Sequence, residues 1–222
     1  MDNPIEPQPV AETLAGLRKS HVDELQTVTD QVLRELGQLD RAVYGTIADT
    51  PTPTLDEPLR RLSNAANFSK LWIGTAAGLA VLGGKPGRHA AATGMVAVGL
   101  ASAVVNQGIK RFYPRERPDR EGEEVPEDRH VKMPESTSFP SGHSASGFAF
   151  ATAVASQLPV VGAGLRFLAG AVAYSRVHTG VHYPGDAVVG SIVGAGIGGM
   201  VAAASRRLAN CSYTERGGGD RP

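Results

Sequence analysis

Three short stretches of this sequence concentrate residue types suited to handling phosphate. The first, KRFYPRERP, runs from Lys110 to Pro118 and gathers Lys110, Arg111, Arg115 and Arg117 directly after an apolar segment. The second, SFPSGHSASG, puts Pro140, Ser141, Gly142 and His143 at the start of another. Small residues at a helix start leave backbone N–H groups open to an anion, here beside an imidazole. The third, YSRVHTGVHYPGD, holds Arg176, His178, His182 and Asp186. Arg176 offers a planar fork of donors matched to phosphate oxygens. His182 and Asp186 are four residues apart, and a carboxylate reaching one ring nitrogen would fix the tautomer and leave the other nitrogen free to attack.

Together the three stretches suit phosphoryl transfer. Lys110, Arg117 and Arg176 would neutralise the phosphate oxygens and the charge of the transition state. One histidine would attack and another would protonate the departing oxygen. These cations supply the positive field without a metal or other cofactor, and no dense carboxylate cluster suited to Mg²⁺ stands in the sequence. Each stretch alone has a plainer reading: a basic membrane flank, an isolated turn, an interfacial histidine satisfied by local hydrogen bonds. What sets them apart is that all three fall at boundaries of apolar segments, where ionisable groups are costly and are usually retained for function.

The elements that must position them are helices. Apolar segments cover about 71–84, 90–109, 144–158, 160–174 and 187–204. Several are shorter than the roughly 20 residues an untilted span needs, which leaves a buried bundle in a soluble protein as the competing reading. Segments 90–109 and 187–204 carry no charge before their ends, and their Gly and Ala would exclude water poorly but allow close helix contact in lipid. A GxxxG spacing recurs at Gly190, Gly194 and Gly198. The expected fold is all-α: a membrane-embedded bundle of about five transmembrane helices, residues 65–204, with a polar C-terminal tail over 205–222.

Residues 1–64 form a separate polar region. The first dozen residues are rich in Pro and acidic residues and read as a flexible tail, with no basic stretch followed by an apolar core of the kind a cleaved signal requires. From Thr13 to about Ile47, Leu14, Leu17, Val22, Leu25, Val28, Val32, Leu36, Leu39 and Val43 recur near helical spacing, an amphipathic helix or two. PTPTLDEP over 51–58 breaks it.

Among 222 residues, 22 basic side chains balance 22 acidic ones, so nothing points to nucleic acid. Local charge says more. If all five segments cross, connectors bearing Lys85, Arg88, Arg166, Arg206 and Arg207 share one side, cytoplasmic by the positive-inside tendency. The phosphate-suited stretches then face the extracytoplasmic side of the cell membrane. The N-terminal seventy residues would face the same way.

At these residues the chain resembles the type 2 phosphatidic acid phosphatase superfamily, the lipid phosphate phosphatases and their vanadium haloperoxidase relatives. Lys110 with Arg117-Pro118, separated by six residues, matches the first signature; Pro140 to His143 match the second; Ser175, Arg176, His182 and Asp186 match the third. The resemblance covers roughly 65–204. It implies His182 as a nucleophile forming a phosphohistidine, Asp186 as its orienting partner and His143 as the acid for the leaving alcohol. Lys110, Arg117, Ser141, Gly142 and Arg176 would bind phosphate, with His178 a neighbour outside the motif. Membrane members of the family usually have six spans, and here the amphipathic N-terminal region stands where the first would be. The implied substrate is a membrane lipid phosphate: a polyprenyl diphosphate, a polyprenyl-linked sugar phosphate, phosphatidate or phosphatidylglycerol phosphate. Competing readings are a soluble-type acid phosphatase or vanadate-dependent haloperoxidase, and a non-catalytic lipid-phosphate-binding protein. The expected partner is the bilayer; the Gly-rich spans suit either contacts with a second copy in a homodimer or packing within the chain.

Overall fold

A computed structural model of the protein describes residues 10–217, and every regular element among them is helical. Most of the tail expected over residues 1–12 lies outside the described residues. By its backbone contacts the chain divides after Ala42 into two units. The first is carried by α1, Val10–Asp49, one continuous helix rather than two. Its Leu14, Leu25, Leu33 and Leu39 remain exposed.

The second unit begins at Val43, in the last two turns of α1, and continues through α2 (Pro53–Ala65), α3 (Lys70–Leu82) and α4 (Gly84–Ala103). Helix α4 runs on as a six-residue π-helical stretch, Val104–Ile109, into a short turn, α5 (Lys110–Phe112). After the long connector come α6 (Gly142–Ala155), α7 (Pro159–His178) and α8 (Pro184–Gly217). The segment expected as a polar tail after 204 is thus helical as far as Gly217.

Helix α6 is the centre of this unit, packed on α8, α7 and α4. Nine of its fourteen residues are buried. That explains its sequence, GHSASGFAFATAVA: with helices on every side, only small residues and two Phe fit. The GxxxG series of α8 faces it. A Cβ on Gly190, Gly194 or Gly198 would collide with the backbone carbonyl of Ser141, Ala145 or Ala149, one α6 turn after another. The repeat therefore serves packing within the chain, the close backbone approach such spacing allows in lipid. On another face of α6, Trp72 of α3 covers Gly147 and stacks obliquely on Phe150 at 5.6 Å between ring centroids.

Three helices are long and apolar enough to cross a bilayer: Gly84–Phe112, Pro159–His178 and Pro184–Cys211. Helices α3 and α6, 13 and 14 residues long, fall short of the roughly 20 needed. For α6 the reason is its central position, sheathed by protein instead of lipid. The outward faces of the spanning helices stay apolar, with Val96, Val160, Phe167, Ile192 and Met200 exposed. The chain is a membrane protein of helical-bundle fold.

Candidate active site

The three phosphate-suited stretches meet at one end of the bundle. Their meeting depends on how α7 stops. Gly180 takes φ +67°, its N–H donates to Val177 O at 2.9 Å, and the N–H of Val181 donates to Arg176 O at 3.1 Å. This is a Schellman cap, in which a left-handed residue after the helix satisfies carbonyls of its last turn. The N–H of His182 donates to the same Arg176 carbonyl at 3.2 Å. Pro184 then starts α8 at a position where its missing N–H costs nothing. Asp186, three residues after Tyr183, turns its Oδ2 back to accept the Tyr183 N–H at 2.9 Å. The spacing of Arg176, His182 and Asp186 is therefore the spacing of a helix stop followed at once by a helix start.

Asp186 is fully buried. Its Oδ1 accepts from Arg115 Nη1 at 2.9 Å, and its Oδ2 accepts a short hydrogen bond from Ser138 Oγ and lies 3.4 Å from His182 Nδ1. On the other side of the ring, His182 Nε2 lies 3.4 Å from Arg117 Nη1, which can only donate. Carboxylate and guanidinium thus select one tautomer, proton on Nδ1 and lone pair on Nε2. Burial, the largest influence, pulls the His182 pKa down to about 4; the hydrogen bond to Asp186 opposes this and the charges of Arg117 and Arg176 reinforce it. The ring is neutral at neutral pH.

Arg117 also donates from Nε to Ser136 O at 2.9 Å and from Nη1 to Val181 O. Burial lowers its pKa to about 10, with Asp186 opposing and Arg120 adding to the fall, so it keeps its charge at neutral pH. Lys110 Nζ donates to Ser136 Oγ at 3.0 Å. Arg176 is buried; its Nη1 donates to Ser63 Oγ at 2.7 Å, while its Nε has no acceptor among the described residues.

Ser141 caps α6: its Oγ accepts from Ser144 N at 3.4 Å and its own N–H donates to Asp186 O at 2.9 Å. That bond ties the start of α6 to the start of α8, and Gly190, one turn further along α8, permits the approach. Gly142 and His143 form the first turn of α6. A cleft of about 270 Å³ opens between Lys110, Arg117, Gly142, His143 and His182, with Ser102, Asn106, Ser136 and Ser146 completing its polar lining.

The structure thus brings together all eight residues singled out in the sequence: Lys110, Arg117, Ser141, Gly142, His143, Arg176, His182 and Asp186. His178 lies apart from the cleft, donating from Nε2 to Asp56 Oδ1 at 2.9 Å. Asp56 also receives Arg129 Nε at 2.9 Å, and the rest of that buried guanidinium caps α1 through the carbonyls of Ile47, Ala48 and Thr50. Sequence reasoning assigned no role to Ser63, Asn67, Ser136 or Ser138, and saw in Arg115 only part of a basic cluster. Serines and asparagines in polar stretches, whether in a connector or, like Ser63, in the polar helix α2, carry no periodic signal; only Arg115, inside the KRFYPRERP run, was marked by its position.

The PAP2 superfamily profile matches residues 90–209. Two relatives, both called decaprenylphosphoryl-5-phosphoribose phosphatase, are similar to this chain over long stretches. The one from Mycobacterium tuberculosis is 40% identical over 97 residues, 42% of this chain and 49% of the relative. The one from Mycolicibacterium smegmatis is 37% identical over 132 residues, 59% and 68%. The chain spans about half the length of the first of these curated relatives. Among solved structures, the fold is similar to a transmembrane PAP2-type phosphatidylglycerolphosphate phosphatase of Bacillus subtilis, with a TM-score of 0.59 and 21% identity over 78% of this chain and 88% of that one. It is also similar to Aquifex aeolicus LpxE, with a TM-score of 0.55 and 25% identity over 73% and 94%. The profile falls on the segment that holds the converging motifs and covers more than half of the chain, and the chain belongs to the PAP2 superfamily.

Proposed function

We propose that this protein is a metal-independent phosphatase of a membrane lipid phosphate, working through a phosphohistidine. The observation that carries the reading is the fixed tautomer of His182: Nδ1–H held towards Asp186, Nε2 bare beside Arg117 in the cleft. Nε2 attacks phosphorus, the N–P bond forms as the ester P–O bond breaks, and His143 gives its proton to the departing oxygen. Water, losing its proton to the now neutral His143, then attacks the phosphohistidine and frees His182 and inorganic phosphate. Lys110, Arg117 and the N–H groups behind Ser141 and Gly142 hold the equatorial oxygens, where charge is spread in the transition state. The unpaired Nε of Arg176 is a buried donor that a phosphate oxygen would satisfy.

Among lipid phosphates a polyprenyl-linked sugar phosphate is favoured. The named activity of the mycobacterial relatives supports it, as do the hydroxyls and amide of Ser102, Ser146 and Asn106, which give the cleft groups able to bond a polyol beside the phosphate. The site faces the extracytoplasmic side in this reading, since Lys85, Arg88, Arg206 and Arg207 flank the helix ends opposite to it.

The test is phosphate release by detergent-purified protein with EDTA present, offered polyprenyl-linked phosphoribose, polyprenyl diphosphate, phosphatidate and phosphatidylglycerol phosphate in parallel with His182→Ala. Release that depends on His182, together with an acid-labile, base-stable phosphoprotein on rapid quenching, is the expected result. Full activity in His182→Ala would sink the nucleophile assignment. Preference for phosphatidate over the sugar phosphate would overturn the substrate reading alone.

A further inference from the structure

The cleft has one wall that the family-matched span, 90–209, does not include. Between α2 and α3, residues Asn67–Ser69 form a single 3₁₀ turn in which Phe68 and Ser69 take φ of 55° and 57°, left-handed values that non-glycine residues seldom adopt. Phe68 and Ser69 both line the cleft. Strain of this kind persists only where surrounding structure holds it, and it gathers at functional sites. Its consequence here is the placement of Asn67: the Oδ1 of this side chain accepts from His143 Nε2 at 3.0 Å. The other end of the amide is also assigned, since Asn67 Nδ2 donates to Asn64 Oδ1 at 3.4 Å. An amide whose N–H₂ is committed to Asn64 can offer His143 only its oxygen.

We propose that Asn67 is a positioning residue for His143: its amide oxygen holds the ring in one tautomer and favours the protonated imidazolium that the leaving group needs. This rests on the reading of His143 as the general acid. The need for such a partner is electrostatic. Burial first, and then the charges of Arg176, Lys110 and Arg117, hold the His143 pKa well below its ordinary value, so a positive charge on this ring is disfavoured unless an acceptor draws on its N–H. Histidines that must hold one orientation and protonation state commonly have this kind of partner, and removing it costs on the order of 10- to 100-fold. Asn67 supplies a neutral acceptor, which steadies the charged form without binding the proton so tightly that it cannot be released.

Leaving-group dependence separates this role from a merely structural one. Dodecyl phosphate needs its alkoxide protonated as the P–O bond breaks; 4-dodecyl-2-nitrophenyl phosphate, of similar chain length, leaves as a stable phenolate. With full-length protein in detergent, Asn67→Leu is expected to lower the alkyl-to-aryl ratio of kcat roughly 10- to 100-fold, and Asn67→Asp, which keeps an acceptor oxygen, to restore most of it. Equal loss on both esters in Asn67→Leu, or no loss on either, would overturn the proposal. His143→Ala in the same assay tells the two levels apart. A selective loss on the alkyl ester there, without one in Asn67→Leu, removes only the role of Asn67. An equal loss on both esters in His143→Ala removes the acid assignment and the proposal with it.

Discussion

The carbonyl of Arg176 accepts the N–H of His182 at 3.2 Å, so the guanidinium and the imidazole of the third motif, the proposed phosphate binder and the proposed nucleophile, are joined by the cap that ends α7. The distance between the two functions is thereby set by backbone geometry, which is rigid, rather than by side-chain rotamers. The five residues between them, VHTGV, are what a helix needs to stop through a left-handed glycine and turn once.

Gly180→Ala tests that cap. The residue sits at φ +67°, and a Cβ there would also meet the Arg120 side chain and the Tyr44 hydroxyl. A loss of about 1–2 kcal/mol of stability is expected, read as a lower melting temperature in detergent, with kcat falling as His182 loses its anchor. Unchanged melting temperature and unchanged turnover would show that the loop does not depend on the cap.

The depressed pKa of His182 makes a prediction about acid. In the unfolded chain this imidazole takes up a proton near pH 6.5, and in the folded protein only near 4. The unfolded state therefore binds more protons between these values, and the neutral ring's contribution, complete above pH 6.5, is lost as pH falls towards 4. The loss amounts to at most about 3 kcal/mol. Thermal unfolding of wild type and His182→Gln across pH 7 to 4 checks it: the wild type should lose more, and parallel curves would contradict the assignment.

Arg115 holds the far oxygen of Asp186 at 2.9 Å. Arg115→Gln should leave Asp186 less firmly oriented and lower kcat by roughly tenfold, with KM little changed, because in the proposed mechanism the phosphate is held by Lys110, Arg117 and Arg176. A change confined to KM would place Arg115 on the substrate instead.

Gly190→Val addresses the contact between α6 and α8. Its Cβ would collide with Ser141 O, forcing apart the two helix starts that the Ser141 N–H to Asp186 O bond joins. Overpacking at such a site costs about 1–3 kcal/mol, and turnover should fall further than stability alone accounts for. Gly196→Val, on the same helix where a Cβ meets nothing, is the control and should be close to wild type in both measurements.

The buried Arg129 is expected to be structural. It bonds Asp56 and caps α1 away from the cleft, so Arg129→Ala should cost about 3–5 kcal/mol by leaving Asp56 without its cation and the carbonyls of Ile47, Ala48 and Thr50 without their side-chain donor, while Asp56 keeps its bonds from His178 and Thr52. Protein that still folds should keep its KM. A raised KM with unaltered melting behaviour would assign Arg129 to the substrate.

The sequence by itself determined the family motifs and the helical fold class. Lys110, Arg117, His143, Arg176, His182 and Asp186 are legible because charged and imidazole side chains stand out at the edges of apolar segments, and the joint spacing of the three motifs is specific. The cap at Gly180 and the start of α8 at Pro184 emerged only with the backbone in view. Tertiary structure alone decided the rest. That α6 is the buried centre, and needs no full span, depends on what surrounds it. That the GxxxG repeat meets α6 rather than a second copy depends on which helix lies alongside. The tautomer of His182 rests on Ser138, Arg115 and Arg117 arriving from a connector with no periodic signal, and the orientation of His143 on Asn67, 76 residues earlier in the chain. Short polar side chains are interchangeable in sequence patterns; only their position in space gives them a partner.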